Sequence, residues 1–374
     1  MQQNKNIFPT DYSLIISRIE SIDPIKYGRT RNNLGGDVTR ISPYLTHGVV
    51  SLPQVRDIVL KKYSKKDSYT FIFELAWREF FQRVYQEEGN NIFNDLKSSQ
   101  LGVINYGIPK AIIDTNTSIN AIDFAYKDLY ETGYMHNHAR MWSAMLVTNL
   151  SRYEWWDVSR HMFYYLLDGD LASNTLSWQW VAGTFSSKQY VANQEMINKF
   201  TEQKQYDTYL SSEVSALLDN GVSELKESIP FELSTDFNLF KDTISLSDIL
   251  EDNIMMYSIW TLDPKWAPNQ DSLKSFRKIL LIDKEELADF PMSDMRINFI
   301  LELSKNIKDL NIVVASKAEI INWANINQKN IYRKNHPALY DWPGIVSEAE
   351  YLFPQISKVP RGFMSFWKKC EVYL

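Results

Sequence analysis

A single cysteine, Cys370, is the only thiol in 374 residues. One thiol excludes an intrachain disulfide framework and any multi-cysteine metal site. Glycine and proline are scarce, 13 of each, which rules out a fibrous or disordered chain. No apolar run approaches the roughly 18 residues that a membrane span needs, and the polar start Met1 to Asn6 does not resemble a secretory signal. Excess basic charge is missing as well: 40 Lys and Arg against 46 Asp and Glu give a net charge of −6. The expectation is a soluble, cytoplasmic protein that meets no membrane and shows no obligate protein partner.

Aromatic residues are abundant instead. The chain holds 11 Trp, 21 Tyr and 19 Phe, more than packing normally calls for. Its length suggests two domains, or one large domain with an appendage, and 44% hydrophobic content allows a sizeable core. Charge is unevenly spread. Residues 1–200 carry 21 Lys/Arg against 20 Asp/Glu, residues 201–374 carry 19 against 26, and the balances of +1 and −7 sum to −6. Neither part is a basic nucleic-acid sponge, so contact with nucleic acid would require a local patch on the first. The same shift hints at a domain boundary.

The apolar spacing predicts helix after helix from about Ser42 to Phe200, including 68–88, His136–Leu150 and Trp155–Leu167. Breakers fall between them at Gly89-Asn90-Asn91, Gly107-Ile108-Pro109 and Thr132-Gly133. Residues 201–250 read as a polar, partly helical linker. Beyond them come three β-rich runs, Met255–Leu262, Lys278–Asp283 and Asn311–Ser316, with a helix-like segment Met295–Ile307 before the third. Strand, helix, strand in that order predicts a small parallel α/β layer. The expected class is mainly α: a helical domain over 1–205, a linker over 206–250 and a small α/β domain over 251–374.

Four segments carry candidate chemistry. In YGRTRNNLGGDVTRISPYL (27–45), Ser42-Pro43 has the form of a helix start, with Ser42 as N-cap. Thr39, Arg40 and Ser42 beside free backbone N–H groups suit a phosphate, though an ordinary capped loop has the same residues. Neither GxxxxGK[ST] nor GxGxxG is present. In MHNHARM (135–141), Asn137, Arg140 and Met141 share a helix face, while two histidines two apart point to different faces, against paired metal ligation. A core face with one buried amide reads equally well. In DGDLASNTLSWQW (168–180), Asp170, Asn174 and Trp178 follow at four-residue steps, lining up a carboxylate, an amide and an indole. The run lacks the ligands of an EF-hand, and an Asp N-cap is the plain alternative. In ELAWREFF (74–81), Glu74 and Trp77 share a face, and Glu74 with Arg78 also suits a simple i,i+4 ion pair.

Taken together and in order, VTRISPYL, ELAWREFF, TGYMHNHARM and DGDLASNTLSWQW resemble the helical flavin-binding domain of the photolyase/cryptochrome family, over roughly residues 20–200. The resemblance implies FAD, reduced in the active form, held by helices without a Rossmann fingerprint. It assigns Tyr27, Val38, Thr39, Arg40, Ile41 and Ser42 to the cofactor phosphates and ribityl chain. Phe71 falls beside the flavin, where many relatives have Trp. Arg140 and Asp168 would pair against the isoalloxazine, Asp170 would hydrogen-bond flavin polar groups, and Asn174 would face N5. Trp178 and Trp155 match the first two members of an electron relay. The third has no counterpart, and Tyr106 and Trp156 are the candidate substitutes. Glu74, Trp77, Asn137, Met141 and Trp180 fall where enzymes acting on cyclobutane dimers line the pocket for a flipped-out lesion. UV-damaged DNA is then the implied partner, and light-driven dimer splitting the implied activity. A blue-light receptor without repair, or an enzyme for (6-4) photoproducts, is the alternative. The chain departs from the family pattern, in which an α/β antenna domain usually comes first: the expected α/β layer follows the helical domain, a reversed domain order, and a second, antenna chromophore is left unknown.

Overall fold

The computed structural model describes residues 7–268 and 276–374; the polar Met1–Asn6 start lies outside the described residues. The architecture is mainly helical with one parallel sheet. It divides into two compact units, and neither is a continuous stretch of chain. One comprises Asp23–Val38 and Phe81–Leu233, the other Met1–Ile22, Thr39–Phe80 and Ser234–Leu374. A linear succession cut at 205 and 250 therefore differs from the observed division.

The helical unit is built from Pro24–Thr30, Asn120–Thr132, Asn137–Met145, Trp155–Tyr165, Leu171–Ala182, Gln194–Lys199 and Val214–Asn220. Four of these starts are capped as local chemistry dictates: Asp23, Glu154, Asp170 and Asn193 each accept a backbone N–H of the following turn. The helix Asn137–Met145 widens into a π-helical turn over Leu146–Leu150, so the expected helix 136–150 is present in two forms. Between Asn120–Thr132 and Asn137–Met145 the chain reverses at Gly133, which has φ +70°. A Cβ there would lie 2.5 Å from Leu167 Cγ, so a side chain would meet both strain and a clash. The core holds Tyr126, Trp142, Met145, Tyr153, Trp155, Met162 and Trp178, all at most 2% exposed. Leu210, Leu217 and Leu225 belong to the same core. The first part of the segment expected to be a linker is therefore packed through these three leucines. A short antiparallel ribbon, β1 (Ile108–Pro109) with β2 (Ser228–Ile229), fastens it further.

The second unit carries five parallel strands: β3 (Asn253–Tyr257), β4 (Arg277–Asp283), β5 (Leu310–Ala315), β6 (Asn330–Lys334) and β7 (Ile345–Ser347). They lie in the order β5-β4-β3-β6-β7, with Met256 opposite Ile279 on one side and Arg333 on the other. The order turns outward in both directions from β3, as in doubly wound sheets. The sheet is wider than the three runs expected from sequence. The strand β6 (NIYRK) is too polar and β7 (IVS) too short to show a strand pattern. Crossovers run through Lys284–Asp289 with Asp294–Ser304, and through Lys317–Ile326, where Ser316 and Glu319 form a capping box.

Residues 8–12 join this unit by long-range contacts. Asn306 accepts the Tyr12 N–H at 2.9 Å and donates to Thr10 O at 2.7 Å. Phe299 meets the rings of Phe8, Tyr44 and His47 at 6.4, 6.2 and 6.0 Å. His47 is further held by Ile259 O, 2.7 Å from its Nδ1. The twenty-residue helix Tyr69–Glu88 contributes its part up to Phe80 to this unit and the remainder to the other. Among the described residues no helix is long and apolar enough to cross a membrane.

Candidate functional site

In the helical unit the candidate residues gather around the start of Leu171–Ala182. Arg140, one turn into its helix, points back. Its Nε donates to Met135 O at 2.8 Å, and its Nη2 donates to both oxygens of Asp168 at 2.9 and 3.0 Å. The Asp168 side chain is 4% exposed and that of Arg140 23%. A carboxylate this buried is tolerable only with its counter-charge in place. Two residues on, Asp170 is the N-cap: its Oδ1 accepts the Ser173 N–H at 2.6 Å, and its Oδ2 accepts from Gln82 Nε2. The plain N-cap reading of Asp170 is thus what its hydrogen bonds display. Asn174 lies one turn further, its Nδ2 donating to Ser159 O at 3.0 Å. Because a carbonyl can only accept, this bond fixes the amide plane and leaves Oδ1 as the end with accepting capacity. Trp178 follows in the same helix, 2% exposed.

Other candidates of this unit lie on neighbouring elements. Trp155 is 1% exposed, donates from Nε1 to Asp95 at 2.8 Å, and meets Trp156 edge-to-face at 5.3 Å. Tyr106, the other aromatic considered for the relay, is 67% exposed. Asn137 opens its helix in an exposed position, with Nδ2 3.9 Å from Met141 Sδ. The two share a face, as their spacing predicts. Trp180 is half-buried and packs against Tyr190 at 5.8 Å. Tyr27 is half-buried in Pro24–Thr30, and Val38 lies in the loop that follows. That loop depends on Gly36: a Cβ would come within 1.9 Å of Thr30 O. Asp37 N donates to the Thr30 hydroxyl at 2.9 Å, and Leu34 N to Phe200 O at 2.9 Å, so the turn is tied at both ends.

In the other unit, Thr39 and Arg40 precede a five-residue helix, Ser42–Thr46. Ser42 is not its N-cap, contrary to expectation. Arg40 takes a left-handed φ of +51° and Ile41 is already helical in backbone, so Ile41 caps the helix and Ser42 is its first residue. Ile41 is buried and Phe71 is 2% exposed. Glu74 is half-buried, and Arg78 Nη2 donates to the Thr46 hydroxyl at 3.1 Å. Trp77 is half-buried with the ring of Phe363 stacked on it, centroids 3.6 Å apart and planes at 14°.

Several residues were not singled out from sequence. Gln82 lies four residues beyond Arg78 on the same helix, and that spacing was its only signal. Its Oε1 and the Ser173 hydroxyl are buried without a hydrogen-bond partner among the described residues. Both sit beside Asp170, and polar atoms buried in this way fit a polar ligand or an ordered water. Glu79, inside ELAWREFF, is 2% exposed and accepts the backbone N–H groups of Leu352 and Phe353. The imidazole of His161 is fully enclosed, and burial holds its pKa down to about 4. Glu154, which caps Trp155–Tyr165, is pushed up to about 7 by burial.

Residues 71–213 match the model of the FAD-binding domain of DNA photolyase. The chain is 31% identical over 168 residues to a deoxyribodipyrimidine photo-lyase of Streptomyces griseus, covering 42% of this chain and 35% of that protein. It is 28% identical over 205 residues to a cryptochrome DASH of Natronomonas pharaonis, covering 51% and 43%. A solved cryptochrome from Synechocystis is similar over 52% of this chain and 44% of its own, with 23% identity and a TM-score of 0.48. The chain thus spans between a third and a half of the length of the relatives it matches.

Proposed function

We propose, because residues 71–213 match the model of the FAD-binding domain of DNA photolyase, that the protein is a light-driven repair enzyme that splits cyclobutane pyrimidine dimers in DNA. The observation that carries this reading is the arrangement at the head of Leu171–Ala182. A buried Arg140–Asp168 ion pair stands beside a helix that presents Asp170, Asn174 and Trp178 in succession. That donor set suits a flavin, which offers ring nitrogens and oxygens as hydrogen-bond partners and gains from a fixed charge nearby. The Ser173 hydroxyl and Gln82 Oε1, without a partner among the described residues, suit it as well. The chemistry that FAD supplies when bound and reduced is light-driven donation of one electron to the dimer.

The chain's own residues take the remaining roles. Arg140 and Asp168 hold a charge pair against the cofactor, and Asn174, its amide plane set by Ser159 O, meets the ring edge. Tyr27, Val38, Thr39, Arg40, Ile41 and Ser42 serve the phosphates and ribityl chain, and Phe71 packs beside the ring. Trp178, Trp155 and Trp156 carry electrons inward, the last pair already in ring contact. A dimer that pairs and stacks poorly costs less to extrude than intact bases; photolyases are a standard example of such flipping. Glu74, Trp77, Asn137, Met141 and Trp180 provide what the extruded dimer needs: a carboxyl, an amide and aromatic walls.

A light-against-dark repair assay on oligonucleotides carrying either a cyclobutane dimer or a (6-4) photoproduct tests the reading. Light-dependent loss of the cyclobutane dimer is expected. Loss of the (6-4) lesion alone would move the substrate, and no loss of either with flavin bound would favour the second reading, a blue-light receptor. The observation on that side is that the similar proteins carry both the photolyase and the cryptochrome name.

A further inference from the structure

The face of Trp77 is already in use. Phe363, the first residue of the helix Phe363–Cys370, lies flat on the indole at 3.6 Å and 14° and is only 4% exposed. The helix carries buried Phe363, Phe366, Trp367 and Cys370 at three- and four-residue spacing and sends Met364, Lys368 and Lys369 outward. Its inner face forms an edge-on lattice with the helix that bears Trp77: Phe363 on Phe73 at 5.0 Å, Trp367 on Phe73 at 5.0 Å and Trp367 on Tyr69 at 5.4 Å. Polar bonds anchor both sides. Trp367 Nε1 donates to Tyr69 Oη and Tyr69 Oη to Glu371, while Glu79 and Arg56 hold the backbone at Leu352 and Phe353. Phe363 is therefore a fixed plate, not a mobile side chain. With it in place Trp77 still keeps accessible surface.

We propose that Phe363 is a positioning residue for the lesion site: it backs the Trp77 indole, holds its plane, and thereby sets the face on which an extruded dimer stacks. The proposal rests on the reading of Trp77 as a dimer-stacking residue. A free indole turns about two side-chain torsions, and a flat partner on one face removes that freedom before DNA arrives. The ordering cost then falls on folding, and binding gains selectivity for planar bases. It also gives the start of the helix Phe363–Cys370 a part in recognition that no motif announces.

The test measures binding of the full-length, flavin-loaded protein to one oligonucleotide with a single cyclobutane thymine dimer and to its undamaged counterpart. Phe363→Leu keeps the bulk but loses the flat ring. It is expected to weaken dimer binding roughly two- to tenfold, the range of an aromatic pair contact, and to leave undamaged DNA unchanged. Phe363→Tyr keeps the ring and is expected to restore wild-type preference, so the proposal stays testable even if the leucine variant folds poorly. In a Trp77→Ala background the Phe363→Leu effect should vanish, because the plate then has nothing to hold. Unchanged dimer binding in Phe363→Leu, or an equal loss on both oligonucleotides, overturns the proposal. If Trp77→Ala itself leaves dimer binding intact, the reading of Trp77 fails first.

Discussion

Replacing Asp168 by Asn removes one charge from the best-defined contact of the candidate site and leaves its partner in place. Arg140 then keeps a guanidinium, three-quarters covered, whose Nη2 had two carboxylate oxygens at 2.9 and 3.0 Å. Truncating one side of such a pair typically costs about 3–5 kcal/mol, because the survivor is a charge without compensation. For a unit of this size 1 kcal/mol moves the melting temperature by about 2–4 °C, so a drop of roughly 6–20 °C is expected. Arg140 also donates to Met135 O, which retains part of its solvation and favours the lower end. Calorimetric melting of Asp168→Asn and of the double variant Arg140→Met, Asp168→Leu separates two explanations. If charge desolvation governs, the double variant recovers most of the single variant's loss while releasing FAD. A single variant that melts within 2 °C of wild type would refute the energetic argument. One that melts normally yet binds no flavin would keep the site and dismiss its structural role.

Three further outcomes follow from the geometry. The His161 pKa is held near 4 against an ordinary 6.5, so its contribution to stability is complete above pH 6.5 and is lost as pH falls toward 4. The loss is on the order of 3 kcal/mol, and the wild-type stability minus that of His161→Phe should shrink by that amount between pH 8 and pH 4 in urea unfolding; a flat difference would exclude it. Gly36→Ala places a methyl where Thr30 O stands. It should cost about 1–3 kcal/mol of stability by urea unfolding, the range of overpacking, and an unaltered midpoint would show that the loop yields freely. Under the proposed function, Trp178→Phe should slow photoreduction of the oxidised flavin while sparing repair by the pre-reduced protein, and equal loss of both would contradict the proposed relay role.

Much of the local structure was readable because helices announce themselves within a few residues. The spacing over 68–88 predicted a helix that the structure bounds at Tyr69–Glu88, and Trp155–Leu167 contains one ending at Tyr165. Asp170, Asn174 and Trp178 likewise share a helix because their spacing is the helical period. What escaped was set by distant residues or by one dihedral. The displaced cap at Ile41 depends on the left-handed Arg40. The stack of Phe363 on Trp77 joins residues 286 apart in the chain, and no window of sequence contains both. β6 and β7 have their place in the sheet because of the strands beside them, not because of alternation of their own. The contact-based units interleave where composition suggested a linear succession, because composition shifts mark stretches of chain, whereas such units are defined by contacts.

Asn306 reaching back to Thr10 and Tyr12 has a bearing on biosynthesis. The opening helix Tyr12–Glu20 emerges from the ribosome almost three hundred residues ahead of the side chain that ties it down, and the helix bearing Trp77 emerges equally far ahead of Phe363. Closing such wide loops is slow, and apolar faces stay uncovered meanwhile. A shortened protein ending near residue 250 would strand Phe8, Tyr44 and Trp77 without their covers, and aggregation is its foreseeable fate.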